Sequence, residues 1–401
     1  MAIIPGTEST DMFGQIVSVV WLGLFVVMFF FSQRIMIMQI LVKSEAFAQQ
    51  LENMTEKGKK HVLKKLSKNP DRKLKDSVNN FLEFFMIEPV SLDPYGIMKK
   101  IEHLVDLQEK RFKYYVDRTA PQLNSEEKAN AVMGLSGAVS LNQIAKIVRH
   151  FVELIKKTKS LQYAIILQMQ LPLIERIAKA LLDGTEALSN GWPIGDAAGS
   201  MAVANMIGTS PVRKFDDETL VCTKKIKGRT VFIVKARGPG GRLGKLGKTV
   251  EQLVMKNKVA KIITVDAAAK LEGEKTGSLA EGVGVAIGGP GVDRSYIEKI
   301  AVDRNLPLDG IIIKMSQEEA IQPIKREVLS AIPKAVQLVE ANIGETTEKG
   351  AIIVVGVGNT GGVGNNKKAA DDSEQLAKKV LQIVSSRKKD EKKSFLSRIG
   401  F

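Results

Sequence analysis

Two aspartates and a set of glycine-rich loops carry the residue types in this chain that could do chemistry. Asp196 stands at a helix start within GWPIGDAAGSMAVANMIG (191–208), and Asp266 ends the apolar run KIITVD. Two acids at the carboxyl ends of neighbouring strands can share a proton, hold a metal ion or activate water. A helix cap and a strand end use the same residue type, so that plainer reading stays open beside the first. No other constellation competes. His61, His103 and His150 fall in helical segments without metal-ligand spacing, and the single cysteine, Cys222, lies in a strand-like TLVCTKKI.

A second candidate is RGPGGRLGKLGKT (237–249), directly after TVFIVKA. It nearly satisfies the phosphate-loop pattern, which needs glycine five positions before Gly247-Lys248-Thr249. Arg242 stands there instead, and Gly241 is one residue too far back. Exposed N–H groups around Gly238, Gly240, Gly241, Gly244 and Gly247, with Lys245, Lys248 and Thr249, could still hold a phosphate at a helix N-terminus. A turn serving only close packing is the alternative. Gly356, Gly358 and Asn359, in AIIVVGVGNTGGVGNN (351–366), form a third ligand-facing candidate. None of these loops names a cofactor.

The elements that must position them form a glycine-rich parallel α/β domain over 191–384. Candidate strands at 230–236, 261–267, 310–315 and 351–358 are apolar throughout, and helical patterns at 245–257, 293–304 and 317–343 separate them. Such alternation indicates a parallel sheet covered on both faces, with ligands at the carboxyl ends of its strands. Before it, residues 43–190 read as a helical subdomain. One run at 97–108 follows Pro94 and ends near 117–121, and another opens at Ser125. LQYAIILQMQLPLI (161–174) is too short and too rich in glutamine for a span and reads as a core helix.

Residues 12–31 are apolar and uncharged, about the length that crosses a bilayer once. Glu8 and Asp11 precede them, whereas Arg34, Lys43, Lys57, Lys59 and Lys60 follow. That asymmetry predicts a single N-terminal transmembrane anchor within 1–42, with the N-terminus outside and the body in the cytoplasm. A cleaved signal peptide fits less well, since a basic n-region and a small-residue cleavage site are missing. One cysteine suits a reducing compartment.

The net charge of +15 is concentrated in KGKKHVLKKLSK (57–68) and in a basic tail, 385–401, expected to be disordered. These clusters suit anionic lipid. Nucleic acid is disfavoured, because aromatics are only 5% and no recognition motif accompanies the charge. Small residues near Gly134 and Gly137 would let helices approach closely, so a homo-oligomer through the helical subdomain is a further expectation.

The N-terminal span, FIVKARGPGGRLGK (232–245), VAIGGPGVDRSYIE (285–298) and VVGVGNTGGVGN (354–365) together resemble a family of archaeal membrane-anchored proteins known as domain of unknown function 1512. That resemblance covers nearly the whole chain and implies a cytoplasmic body without an assigned activity. The C-terminal half is also similar to the germination protease and hydrogenase maturation protease fold, a phosphorylase/maturation-protease-like architecture. DAAGSMAVANM (196–206) and VDAAAK (265–270) carry this likeness. It implies that Asp196 and Asp266 match the peptidase acids. The strand that should precede Asp196 is replaced by helix, and GVGN appears at the far end, so the likeness requires a circular permutation with the last strand beside Asp196.

Three functions follow as expectations. The first is a hydrolase or processing peptidase using the acid pair. The others are a nucleotide- or phosphate-binding regulator using 238–249, and a non-catalytic membrane scaffold.

Overall fold

The computed structural model describes residues 12–89 and 96–398, so Glu8, Asp11, Pro94 and the last three residues lie outside the described part. Eleven α-helices and seven strands are present there. Five helices come first: α1 (Met12–Leu66), α2 (Arg72–Phe81), α3 (Ile97–Thr119), α4 (Ser125–Thr158) and α5 (Leu161–Asn190). The chain falls into two compact units. One joins residues 1–53 to 144–175; the other holds 54–143 and 176–401.

The first unit is helical. On α1, Ile37, Ile40, Ser44, Phe47, Ala48 and Leu51 are buried at spacings of one, three and four, a single buried stripe that is apolar except for Ser44. Val148, Val152 and Ile155 of α4 and Ala164 and Leu167 of α5 are its buried counterparts. Arg149 ties α4 to α1 through Glu45 and Glu52, and Lys156 reaches Glu45 at 2.6 Å. Stretch 161–174, expected to be a core helix, is helical and opens α5, but it is buried on one side only, and Ile165, Ile166, Met169 and Leu173 face outwards. By length and composition α4 is apolar enough to cross a membrane, but half of its apolar window is buried in the fold. The N-terminal stretch meets the same criterion only as Ile16–Val26 taken with Phe31–Leu66.

The second unit carries a seven-stranded sheet in the order β1-β2-β3-β7-β4-β6-β5. Its strands are β1 (Val212–Lys214), β2 (Thr219–Ile226), β3 (Arg229–Ala236), β4 (Val259–Ala269), β5 (Leu279–Val283), β6 (Leu308–Met315) and β7 (Ala351–Gly356). The central four, β3-β7-β4-β6, are parallel, as their unbroken apolar character predicts. The sheet as a whole is mixed, which corrects the all-parallel expectation. Lys227 and Gly228 both adopt positive φ and turn β2 directly into an antiparallel hairpin with β3, and β5 pairs antiparallel on β6.

Helices cover both faces. α7 (Leu246–Lys256) and α8 (Val292–Arg304) pack with Phe232, Val234, Ile262, Ile353 and Val355 on one face. α6 (Ala198–Ile207), α10 (Arg326–Glu345) and α11 (Lys367–Arg398) pack with Ile233, Ile263, Val265, Ile311 and Val354 on the other. The helical pattern at 317–343 is broken. A short α9 (Gln317–Ile321), opened by a Ser316–Glu319 capping box, stops before Pro323. At the chain's end α11 continues through the basic segment to Arg398, where disorder was expected.

Candidate functional site

Adjacent strands whose following connections leave to opposite faces open a crevice at their carboxyl ends. β4 and β7 are such a pair. The chain leaves β4 towards β5 and α8 on one face, and leaves β7 towards α11 on the other. The last strand therefore lies beside β4, in the middle of the sheet.

A tight turn, Gly195–Ala197, carries Asp196 to this crevice and leads into α6. Gly199 makes the approach feasible. A Cβ there would collide with the carbonyls of Val265 on β4 and Val357 after β7, so α6 begins directly over the gap between the two strands. Ser200 hydroxyl donates to Gly358 carbonyl at 2.9 Å, and the Asn359 N–H donates to Asp196 Oδ2 at 2.8 Å. Gly358, at φ +105°, passes so close to the Asp196 carbonyl that no side chain fits.

Asp266 enters from β4. Its carboxylate accepts the N–H of Ala267 at 2.6 Å and that of Gly288 from the segment between β5 and α8. The same segment is registered two residues earlier, where Ala286 N–H donates to Thr264 hydroxyl at 3.2 Å. Asp266 is 4% exposed. Burial pushes its carboxyl well above the usual range, and repulsion from Asp196 adds to that, against the pull of the two N–H groups. Asp196 retains some solvent contact although protein surrounds its carboxyl. Desolvation raises it too, and the Asn359 N–H opposes the rise. Both carboxyls are thus raised by burial, and the charge of Asp196 makes ionisation of Asp266 harder still. Among the described residues no group of three or more His, Cys, Asp or Glu side chains could hold a metal ion.

The glycine loop between β3 and α7 is built differently from an open anion cradle. Gly238 N–H donates to Asn365 Oδ1, Gly240 N–H to Glu126, Gly241 N–H to Asn130, and Arg242 N–H to Thr360 hydroxyl. Gly247 N–H, at the start of α7, donates to Asp293 at 2.7 Å. Lys245 pairs with Asp106 and Glu109, Lys248 pairs with Glu102, and Thr249 hydroxyl turns back to the Lys245 carbonyl. Every one of these donors already has a protein acceptor. Gly244, at φ +75°, makes the turn that brings the loop back against Ala236.

Several residues here were silent in the sequence. Glu126, at the start of α4, accepts from Arg242, Arg237 and Gly240 N–H together. Burial alone would raise its carboxyl, but these donors hold it below the usual range. Arg242, the residue that spoils the phosphate pattern, is 7% exposed and is the main cation on Glu126. Lys235, at the end of β3, is completely buried without an acidic partner. Its ammonium donates to the carbonyls of Ala236 and Gly364 and to Asn365 Oδ1, and burial lowers its pKa to about 7. Position 235 read only as one more strand residue; a lysine inside an apolar run was the available signal.

A helical region followed by a mixed α/β sheet, with paired acids at a central crevice and an internally bonded glycine loop, defines an α/β protein built around one strand-end site. The chain belongs to the DUF1512 family. Residues 18–191 match the model described as "Protein of unknown function (DUF1512) N-terminal domain", and residues 194–364 match "Domain of unknown function (DUF1512) C-terminal". The boundary between the two falls beside the turn that carries Asp196. No curated protein and no solved structure matches the chain.

Proposed function

We propose that this protein is a membrane-anchored hydrolase in which Asp196 and Asp266 share a proton. The carrying observation is their convergence at the β4–β7 crevice, where burial raises both carboxyls and repulsion from Asp196 raises Asp266 further. In that state the ionised carboxylate takes a proton from water as it attacks an electrophilic carbon, and the protonated one gives its proton to the departing group. Asp196 retains solvent contact and is the member better placed to meet incoming water. Peptide bonds are the substrate class suggested by the sequence likeness of both acidic motifs to a peptidase fold.

The apolar residues of α1 support the anchor. Trp21, Leu22, Phe25, Met28 and Phe31 are all exposed, as lipid-facing side chains are. With the charge asymmetry of the flanks, this reading sets the N-terminus outside and the body in the cytoplasm.

The test is hydrolysis of an unfolded protein substrate and of short peptides by the full chain in detergent. Asp196→Asn and Asp266→Asn should each lower the rate at least about 100-fold, the contribution expected of a positioned acid or base. Hydrolysis that survives both changes would refute the assignment.

A further inference from the structure

α1 bends by 43° between Val26 and Phe31 and then runs on as one helix into the first unit, so from Phe31 its residue numbers measure distance along the helix from the apolar stretch. α4 lies antiparallel to it. Arg149 meets Glu52 and Glu45, and Lys156 meets Glu45. α5 returns in the direction of α1, since Gln50 donates to Glu175. Carrying both ladders to the α4–α5 turn sets Thr158–Leu161 level with α1 residues near 36–41. At a rise of about 1.5 Å per residue, that turn is roughly 10 Å beyond Phe31.

The chemistry of the turn suits that position. Lys157 and Lys159 are exposed, and Lys159 adopts φ +51° where the chain reverses. Beside them the first turns of α5 expose Tyr163, Ile166 and Met169, the last at 73%. Lysines at a tip backed by an aromatic and large aliphatic side chains are what a peripheral contact with anionic lipid uses.

We infer that the α4–α5 turn is a second bilayer contact, in which Lys157 and Lys159 meet anionic headgroups and Tyr163 and Ile166 dip into the interface. It rests on the reading that α1 is anchored. Holding the hairpin against the surface fixes the first unit relative to the membrane, a constraint that one span alone does not supply.

The experiment places one fluorescent reporter at a time, through Phe25→Cys, Ile166→Cys or Leu173→Cys, in the full chain reconstituted into vesicles carrying brominated lipid. Cys222 is buried and stays unlabelled. With anionic vesicles, the Ile166 reporter should be quenched several-fold more than the Leu173 reporter. Lys157→Glu with Lys159→Glu should abolish that difference, and so should zwitterionic lipid. A quenched Phe25 reporter with equal signals at Ile166 and Leu173 overturns the inference and leaves the anchor standing. Preferential quenching at Ile166 that ignores lipid charge and both substitutions overturns the role of the lysines. An unquenched Phe25 reporter overturns the anchor itself, and the second contact with it.

Discussion

The N–H of Asn359 donates to the carboxylate of Asp196 at 2.8 Å, joining the exit of the last strand to the entrance of the α/β region. The two residues are 163 positions apart in the chain. This bond makes the loop after β7 part of the acid site, and it connects the pair to everything that holds that loop. Thr360 hydroxyl bridges to the β3–α7 loop, Asn365 grips Gly238 from both sides, and Lys235 fixes Gly364.

Asp266→Asn should stabilise the fold at neutral pH while it abolishes activity. A carboxyl whose folded pKa is raised binds its proton more tightly folded than unfolded. Native stability therefore falls as pH rises from the usual carboxylate range through the raised folded value. Asparagine removes that penalty and still accepts the N–H groups of Ala267 and Gly288. Denaturant unfolding at pH 7 should show a gain in stability that shrinks towards pH 3. A loss of stability at pH 7 would contradict the raised pKa.

Lys235→Met has the opposite pH signature. The lysine's folded value of about 7 lies below its unfolded value of 10.5, so the unfolded chain binds more protons between those limits. Stability of the parent protein should rise with pH from about 7 to 10.5 through this group, and the methionine variant should lack that rise. At pH 6 the variant gains from losing an uncompensated buried charge and loses three hydrogen bonds, two of them to the Gly364–Asn365 segment. Comparing the two unfolding profiles across pH isolates the lysine's share from the lost bonds, which do not titrate.

Glu126→Ala should cost about 3–5 kcal/mol, the usual effect of leaving buried partners uncompensated. Arg242 would keep its charge in a nearly closed site, and Gly240 N–H would lose its acceptor. Since the glycine loop takes its shape from this carboxylate, hydrogen exchange at Gly240 and Gly241 should speed up well before exchange in β4. Unchanged exchange there would mean that the loop holds itself.

Gly199→Ala adds one methyl group against the carbonyls of Val265 and Val357. Such overpacking costs about 1–3 kcal/mol and should push the start of α6 away from the strand ends, carrying Asp196 with it. Hydrolytic rate should fall more than stability does. Gly208→Ala, whose Cβ would have nothing nearer than Lys224 Nζ at 3.8 Å and the Met206 carbonyl at 4.0 Å but whose φ is +63°, controls for simple backbone strain.

The parallel strands were legible because each buries both faces and so reads as an unbroken apolar run. β3, β4, β6 and β7 all lie within a few residues of their sequence-based bounds. β5, with Glu281 and Gly282 in LAEGV, gives no such run, and its antiparallel pairing depends on β6 as a template. Asp196 and Asp266 stood out because an acid beside small residues at an element's end is conspicuous. The partners of the glycine loop did not, since its glycines and lysines look alike whether they meet phosphate or carboxylate. Lys245 is paired with acids on α3 about 139 and 136 positions away, a relationship that exists only once α3 is packed. Local pattern reports what an element can bury; it carries no record of which distant charge answers a loop.

The central claim is that Asp196 and Asp266 titrate as one coupled pair. Carbon-13 labelling of aspartate, followed by NMR titration of the carboxyl resonances in the full chain and in Asp196→Asn, measures it directly. The account predicts that Asp266 titrates well above the ordinary carboxylate range and moves down when Asp196 is neutralised. An Asp266 resonance that titrates near the ordinary value, or does not respond to Asp196→Asn, would contradict it.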